Sequence, residues 1–122
     1  MTAFAIDIAV PVEIRAPRSA VELEIVWDTG ETSVLPHRLL RAFCPCAHCQ
    51  GHQGPVRYLD AIDDYSDDLL TLQDLQEVGN YALRLTWADG HSTGIYAYSY
   101  LLELGKLAGA EDETQRSHTF SR

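Results

Sequence analysis

Hydrophobic and polar positions alternate over two stretches of the chain. Val21, Leu23, Ile25 and Trp27 interleave with Glu22, Glu24 and Val26. A period of two predicts a strand with one face buried. Asp28-Thr29-Gly30 supplies turn chemistry, and Glu31–Leu35 reads as the returning strand. Pro36 suits the first turn of a helix, where its missing N–H costs nothing. Leu39, Leu40 and Phe43 then share one helical face, with Arg38 and Arg41 outside. The pattern returns further along. Leu83, Leu85 and Trp87 alternate with Arg84, Thr86 and Ala88, and Asp89-Gly90 predicts a tight turn with both central residues at positive φ. His91–Tyr96 is the returning strand. Tyr98–Ala108 follows as a helix, with Ser99, Glu103 and Lys106 on its polar stripe and Leu101, Leu104 and Ala108 opposite.

At an offset of 60 residues Leu23 falls on Leu83, Trp27 on Trp87, Gly30 on Gly90 and Leu35 on Ile95. The expected fold is therefore α+β: two pseudo-repeated β-hairpin-plus-helix units around one core, with mainly antiparallel sheet. Pro11 and Pro17 bracket an edge strand at Val12–Arg15. Between the halves, Asp60, Asp63, Asp64, Asp67, Asp68, Asp74 and Glu77 form an acidic connector. It lacks the central Gly and closing Glu of an EF-hand and reads as a solvated loop. Leu69–Val78 fits neither period cleanly; Gly79-Asn80 behind it favours a strand leading into a turn. Residues 109–122 are polar and unpatterned and read as a flexible tail, so that residues 11–108 form the single domain.

The chain has 122 residues, 46% of them hydrophobic and 22% charged, which suits one domain with its own apolar core. Its net charge of −9 excludes nucleic acid and anionic membranes as main partners, because both require a basic surface. No apolar run reaches the roughly 18 residues that cross a bilayer. Residues 1–20 show no signal-peptide pattern, so the expected location is cytoplasmic.

The cysteines change the picture most. All three lie in Phe43-Cys44-Pro45-Cys46-Ala47-His48-Cys49. An odd number packed into one turn is no disulfide framework and points to metal or redox chemistry. Pro45 disfavours helix at Cys44, so the chain turns where the thiols lie. Zinc takes four tetrahedral ligands, and three thiolates leave one corner for a His. Spacing alone leaves that His open. His52 lies three residues past Cys49, whereas His91 reaches the thiols if the second hairpin approaches the end of the first helix. His48 sits too close to Cys49 to share a metal easily.

The string Leu35-Pro-His-Arg-Leu-Leu-Arg-Ala-Phe-Cys-Pro-Cys-Ala-His-Cys49, followed by Tyr81-Ala-Leu-Arg-Leu-Thr-Trp-Ala-Asp-Gly-His-Ser-Thr-Gly-Ile-Tyr96, resembles the gamma-butyrobetaine hydroxylase N-terminal-like domain family over about residues 11–104. The resemblance implies one zinc per chain, held by Cys44, Cys46, Cys49 and His91. It implies no reaction. Family domains precede iron- and 2-oxoglutarate-dependent dioxygenases, accompany P-loop ATPases that resemble iron–sulfur cluster carriers, or stand alone in small bacterial proteins, and this chain looks like the last kind.

Enzyme motifs are missing from the sequence. None of the five His is followed two residues later by Asp or Glu, as an iron oxygenase requires. There is no phosphate-binding loop and no nucleophile elbow. A four-ligand zinc site also has no open position for water. Arg38 and Arg41 are candidate counter-charges for the thiolates. The expected function is a non-catalytic zinc module that docks onto a protein partner, with a homodimer as one form. An accessory role in iron–sulfur or thiol redox chemistry is the alternative. A thiol enzyme ranks third, because it needs one free, activated Cys.

Overall fold

A computed structural model describes residues 9–17, 21–51 and 54–121 of the chain. Strands β1 (Pro11–Arg15), β2 (Glu22–Trp27) and β3 (Thr32–Pro36) form an antiparallel sheet in chain order. Leu23, Ile25 and Trp27 point inward, as their alternation requires, and β3 adds Ser33 and Leu35 in register with Ile25 and Leu23. Val21 does not join them: it is 74% exposed, one residue before the strand begins. β1 is an edge strand carrying a bulge between Pro11 and Glu13.

A second antiparallel sheet, also in chain order, contains β4 (Leu72–Val78), β5 (Ala82–Trp87) and β6 (Gly94–Ala97). The mixed periodicity of the first of these strands has a cause, a register shift between Leu72 and Asp74. Each sheet leads into a helix. α1 (His37–Ala42) follows β3, and α3 (Tyr98–Ala108) follows β6. Between α1 and β4 lie the single turn α2 (Ala47–Gln50), a two-residue bridge strand at Val56–Arg57, and 3-10 turns at Asp60–Asp64 and Asp67–Leu70. The acidic connector is thus partly ordered, with Ile62 buried beneath it.

Four local expectations are corrected. Pro36 ends β3 and caps α1 with ψ 137° instead of sitting inside the helix. Among the described residues no non-glycine has positive φ, so only Gly90 of the Asp89-Gly90 pair is left-handed, at φ 91°. Gly90 N–H donates to Trp87 O (2.9 Å) and Trp87 N–H to His91 O (2.9 Å), and Gly30 makes the same loop with Trp27 and Glu31. Both hairpins therefore use a three-residue loop closed by a left-handed glycine rather than a mirror-image turn. Arg41 is buried, because the 3-10 turns cover the face of α1 that periodicity assigns to solvent.

The fourth correction concerns residues 109–122. They contain α4 (Asp112–Ser117) and a short terminal strand, Thr119–Phe120, paired antiparallel with Val56–Arg57. Phe120 is buried edge-on against Phe43 (5.3 Å) and Tyr100 (5.0 Å). Arg116 fixes α4 from outside, donating to both oxygens of Asp63 (2.7 and 3.0 Å).

The core is one cluster built from both sheets, α1 and α3. Trp27 donates its indole N–H to Ser33 Oγ (2.8 Å) and meets Tyr98 edge-on. α3 lies close enough to β3 that a Cβ on Gly105 would fall 2.7 Å from Ser33 Oγ. Two tyrosines tie α1 to the second sheet and its helix: Tyr96 OH donates to Leu40 O (2.7 Å) and Tyr100 OH to Phe43 O (2.6 Å). These bonds satisfy carbonyls that a helix end leaves without intrahelical partners.

Candidate metal centre

α1 stops at Phe43 because Pro45 follows. Cys44 N–H still reaches back to Arg41 O (3.3 Å), which leaves the Cys44 side chain at the helix end, fully buried. Cys46 then starts α2 in an extended conformation, and its carbonyl accepts from Cys49 N–H (3.2 Å) and Gln50 N–H (3.0 Å). One helical turn puts residues three apart on the same side, so Cys46 and Cys49 face one point. Gln50 anchors the turn through a two-way amide pair with the backbone of Arg57 (2.9 and 3.1 Å).

The second hairpin brings the fourth group. His91 Nε2 lies 3.5 Å from Cys44 Sγ, 3.8 Å from Cys46 Sγ and 3.5 Å from Cys49 Sγ. All four ligand atoms lie within 4.8 Å of one another. An imidazole nitrogen carries one proton or one lone pair, so it cannot hydrogen-bond three sulfurs together. A shared cation would satisfy all four: a tetrahedral ion with bonds of about 2.3 Å to sulfur and 2.0–2.1 Å to nitrogen sets S···N edges near 3.6 Å. The donor set fits a divalent ion in both chemistry and spacing.

Electrostatics point the same way. Burial pushes the Cys44 thiol up, and burial together with the neighbouring Cys44 pushes Cys49 up. Burial also acts on Cys46, but hydrogen bonds from the Thr93 side chain and the Cys49 backbone outweigh it and bring that thiol down. Burial, followed by the charge of Arg41, lowers His91 and keeps its imidazole neutral, the form that binds metals. Thiolates crowded in a buried place repel one another, and a cation between them reverses that penalty.

The other described histidines do not take part. His48 is exposed, with its ring 6.3 Å from that of His91. His37 packs edge-on against Trp87, with Nδ1 3.0 Å from Leu70 O. His118 meets Phe120 edge-on (4.5 Å). His52, the alternative ligand, lies outside the described residues. Of the two candidate counter-charges, Arg41 lies beside the centre and pairs with Asp89 (2.8 Å). Arg38 instead turns to Tyr58 and Asp112.

Sequence reasoning missed Gly94. A Cβ there would meet Cys44 Sγ and Tyr96 Cε1, each at 2.9 Å, so only glycine lets the sulfur lie against the strand. An isolated glycine inside a strand pattern was the available signal. Thr93 was missed too, and nothing in its spacing marks it.

Comparison with known proteins finds a matching family and similar solved structures. The family described as gamma-butyrobetaine hydroxylase-like, N-terminal, matches residues 14–102. A crystal structure of a DUF971-family protein of unknown function from Acidithiobacillus ferrooxidans is 34% identical, with a TM-score of 0.57 over 78% of this chain and 91% of that one. Two protein structures solved in solution by NMR are also similar. One is 30% identical, with a TM-score of 0.63 over 88% of this chain and 76% of that one. The other is 29% identical, with a TM-score of 0.59 over 80% and 73%. No curated protein matches the chain.

Proposed function

The chain belongs to the gamma-butyrobetaine hydroxylase-like N-terminal family, and from that premise we propose that it is a non-catalytic zinc-binding module that docks onto a partner protein. The observation that carries the metal reading is the convergence of three sulfurs on one imidazole nitrogen at 3.5–3.8 Å. Cys44, Cys46, Cys49 and His91 would hold one zinc ion, which when bound supplies a positive charge that neutralises thiolates and cross-links two parts of the chain. Mixed thiolate and imidazole donors in a tetrahedral set suit zinc. Iron–sulfur clusters place several iron and sulfide atoms between their thiolates and need donors set further apart. The compact donor set therefore favours a single ion over the cluster alternative.

Four protein ligands leave no position for water or substrate, which supports a structural role over a catalytic one. Each half contributes a sheet followed by a helix, and the ion would join the end of α1 to the second hairpin. This supports the pseudo-repeat and a zinc-stabilised core. The acidic surface favours a protein partner over nucleic acid, in a cytoplasmic setting.

Elemental analysis of protein purified without added metal tests the reading. One zinc per chain is expected. Stoichiometric iron or no metal would overturn it. His91→Ala should lower the zinc content, whereas His52→Ala should leave it unchanged.

A further inference from the structure

Arg41 stands between the two parts of the cluster. Its side chain is 6% exposed, and its guanidinium grips Asp89 with both nitrogens, Nη1 to Oδ1 at 3.1 Å and Nη2 to Oδ2 at 2.8 Å. Nη1 also donates to Leu69 O, and the plane lies over the rings of Trp87 (5.5 Å) and Tyr65 (5.3 Å). Asp89 Oδ1 in turn accepts from the backbone N–H of His91 (3.2 Å). At its other end Arg41 offers its carbonyl to Cys44 N–H (3.3 Å). One residue thus holds both a cysteine and the histidine of the centre, through its backbone and its guanidinium.

The two groups it holds lie 47 residues apart in sequence. Tyr96 ties β6 to α1 through Leu40 O, and the Arg41–Asp89 pair acts at the turn itself, next to His91. A planar fork that meets a carboxylate with two parallel bonds sets orientation as well as distance. The position is also costly, because burying a guanidinium requires a well-made partner set. A plain staple between α1 and the hairpin would be served as well by apolar side chains of similar volume.

We propose that Arg41 is a positioning residue for the metal centre, acting through Asp89 to hold His91 at the distance the three thiolates require. The inference rests on the ligand set proposed above. Loss of such an outer partner weakens metal binding by about 10- to 100-fold in known sites.

The test measures zinc affinity by competition with a chromophoric chelator, together with the visible spectrum of the cobalt-substituted protein. Arg41→Met should lower zinc affinity by about 10-fold or more and alter the cobalt bands, since His91 no longer sits where the thiolates need it. Asp89→Asn keeps the size of the turn residue and should weaken binding in the same direction. The double variant should be little worse than Arg41→Met alone, because both changes break one linkage. Ile25→Ala, buried in the first sheet, is the control for general destabilisation and should leave affinity and spectrum near wild type.

Affinity within about threefold of wild type for both Arg41→Met and Asp89→Asn, with unchanged cobalt bands, would overturn the inference. So would equal weakening by Ile25→Ala. If Arg41→Met does not fold, Asp89→Asn decides alone. A wild-type affinity matched by His91→Ala would instead remove the ligand set itself, and this inference with it.

Discussion

Single atoms decide the geometry of the centre. At Gly94 a Cβ would crowd Cys44 Sγ and the Tyr96 ring, each at 2.9 Å. Gly94→Ala should therefore push the sulfur or Tyr96 aside, cost about 1–3 kcal/mol as other overpacking changes do, and weaken zinc binding. Chelator competition and a denaturant melt would measure both. An alanine variant with wild-type affinity would show that the strand yields without moving the sulfur. The tryptophans act at the same scale. Trp27 and Trp87 are 1% and 0% exposed, and truncating either to Ala should cost about 3–5 kcal/mol. Sub-kilocalorie losses would mean that the core closes over the gap.

The elements differ in how openly the sequence announces them. β2 and β5 were legible because each buries one face, and burial of one face writes itself as strict alternation. α3 was legible to its ends for the same reason at helical spacing. The cysteine turn was legible because proline and three thiols coincide. His91 was not distinguishable from His52 by spacing, since the approach of the second hairpin depends on contacts such as Arg41 to Asp89 and Tyr96 to Leu40 that leave no periodic trace. Arg41 itself was misplaced because its covering comes from 3-10 turns, whose short runs carry no amphipathic signature. The last stretch failed most clearly. Phe120 is a lone apolar residue among polar neighbours, and its burial is set by Phe43 and Tyr100. Phe120→Ala should cost about 3 kcal/mol in a urea melt. A cost near zero would mean that α4 and the terminal strand add nothing to the core.

Acid should act on the whole molecule through two routes. Metal ligands must be deprotonated to bind, so falling pH should release zinc. Burial lowers the pKa of His37. The unfolded chain therefore takes up that proton first, near the ordinary histidine value of about 6.5. Stability from this residue is fully present above that value and declines as pH falls through it, until the folded form is protonated too. Urea midpoints of the metal-free protein should drop between pH 7.5 and 5, and His37→Phe should flatten that slope. An unchanged slope would assign the pH dependence to other groups. Metal removal at neutral pH should lower the melting temperature by about 10 °C or more, because binding to the folded chain alone adds directly to its stability. Secondary structure should survive, since most of the core lies away from the centre. Zinc would close a loop of 42 residues between Cys49 and His91, so the loss should be largest in the contacts between α1 and the second hairpin. X-ray absorption at the zinc edge of protein purified without added metal measures the centre most directly. Three sulfurs at about 2.3 Å and one nitrogen at about 2.0–2.1 Å are expected. A shell of four sulfurs, a shell dominated by oxygen, or no zinc signal would contradict a centre built from Cys44, Cys46, Cys49 and His91.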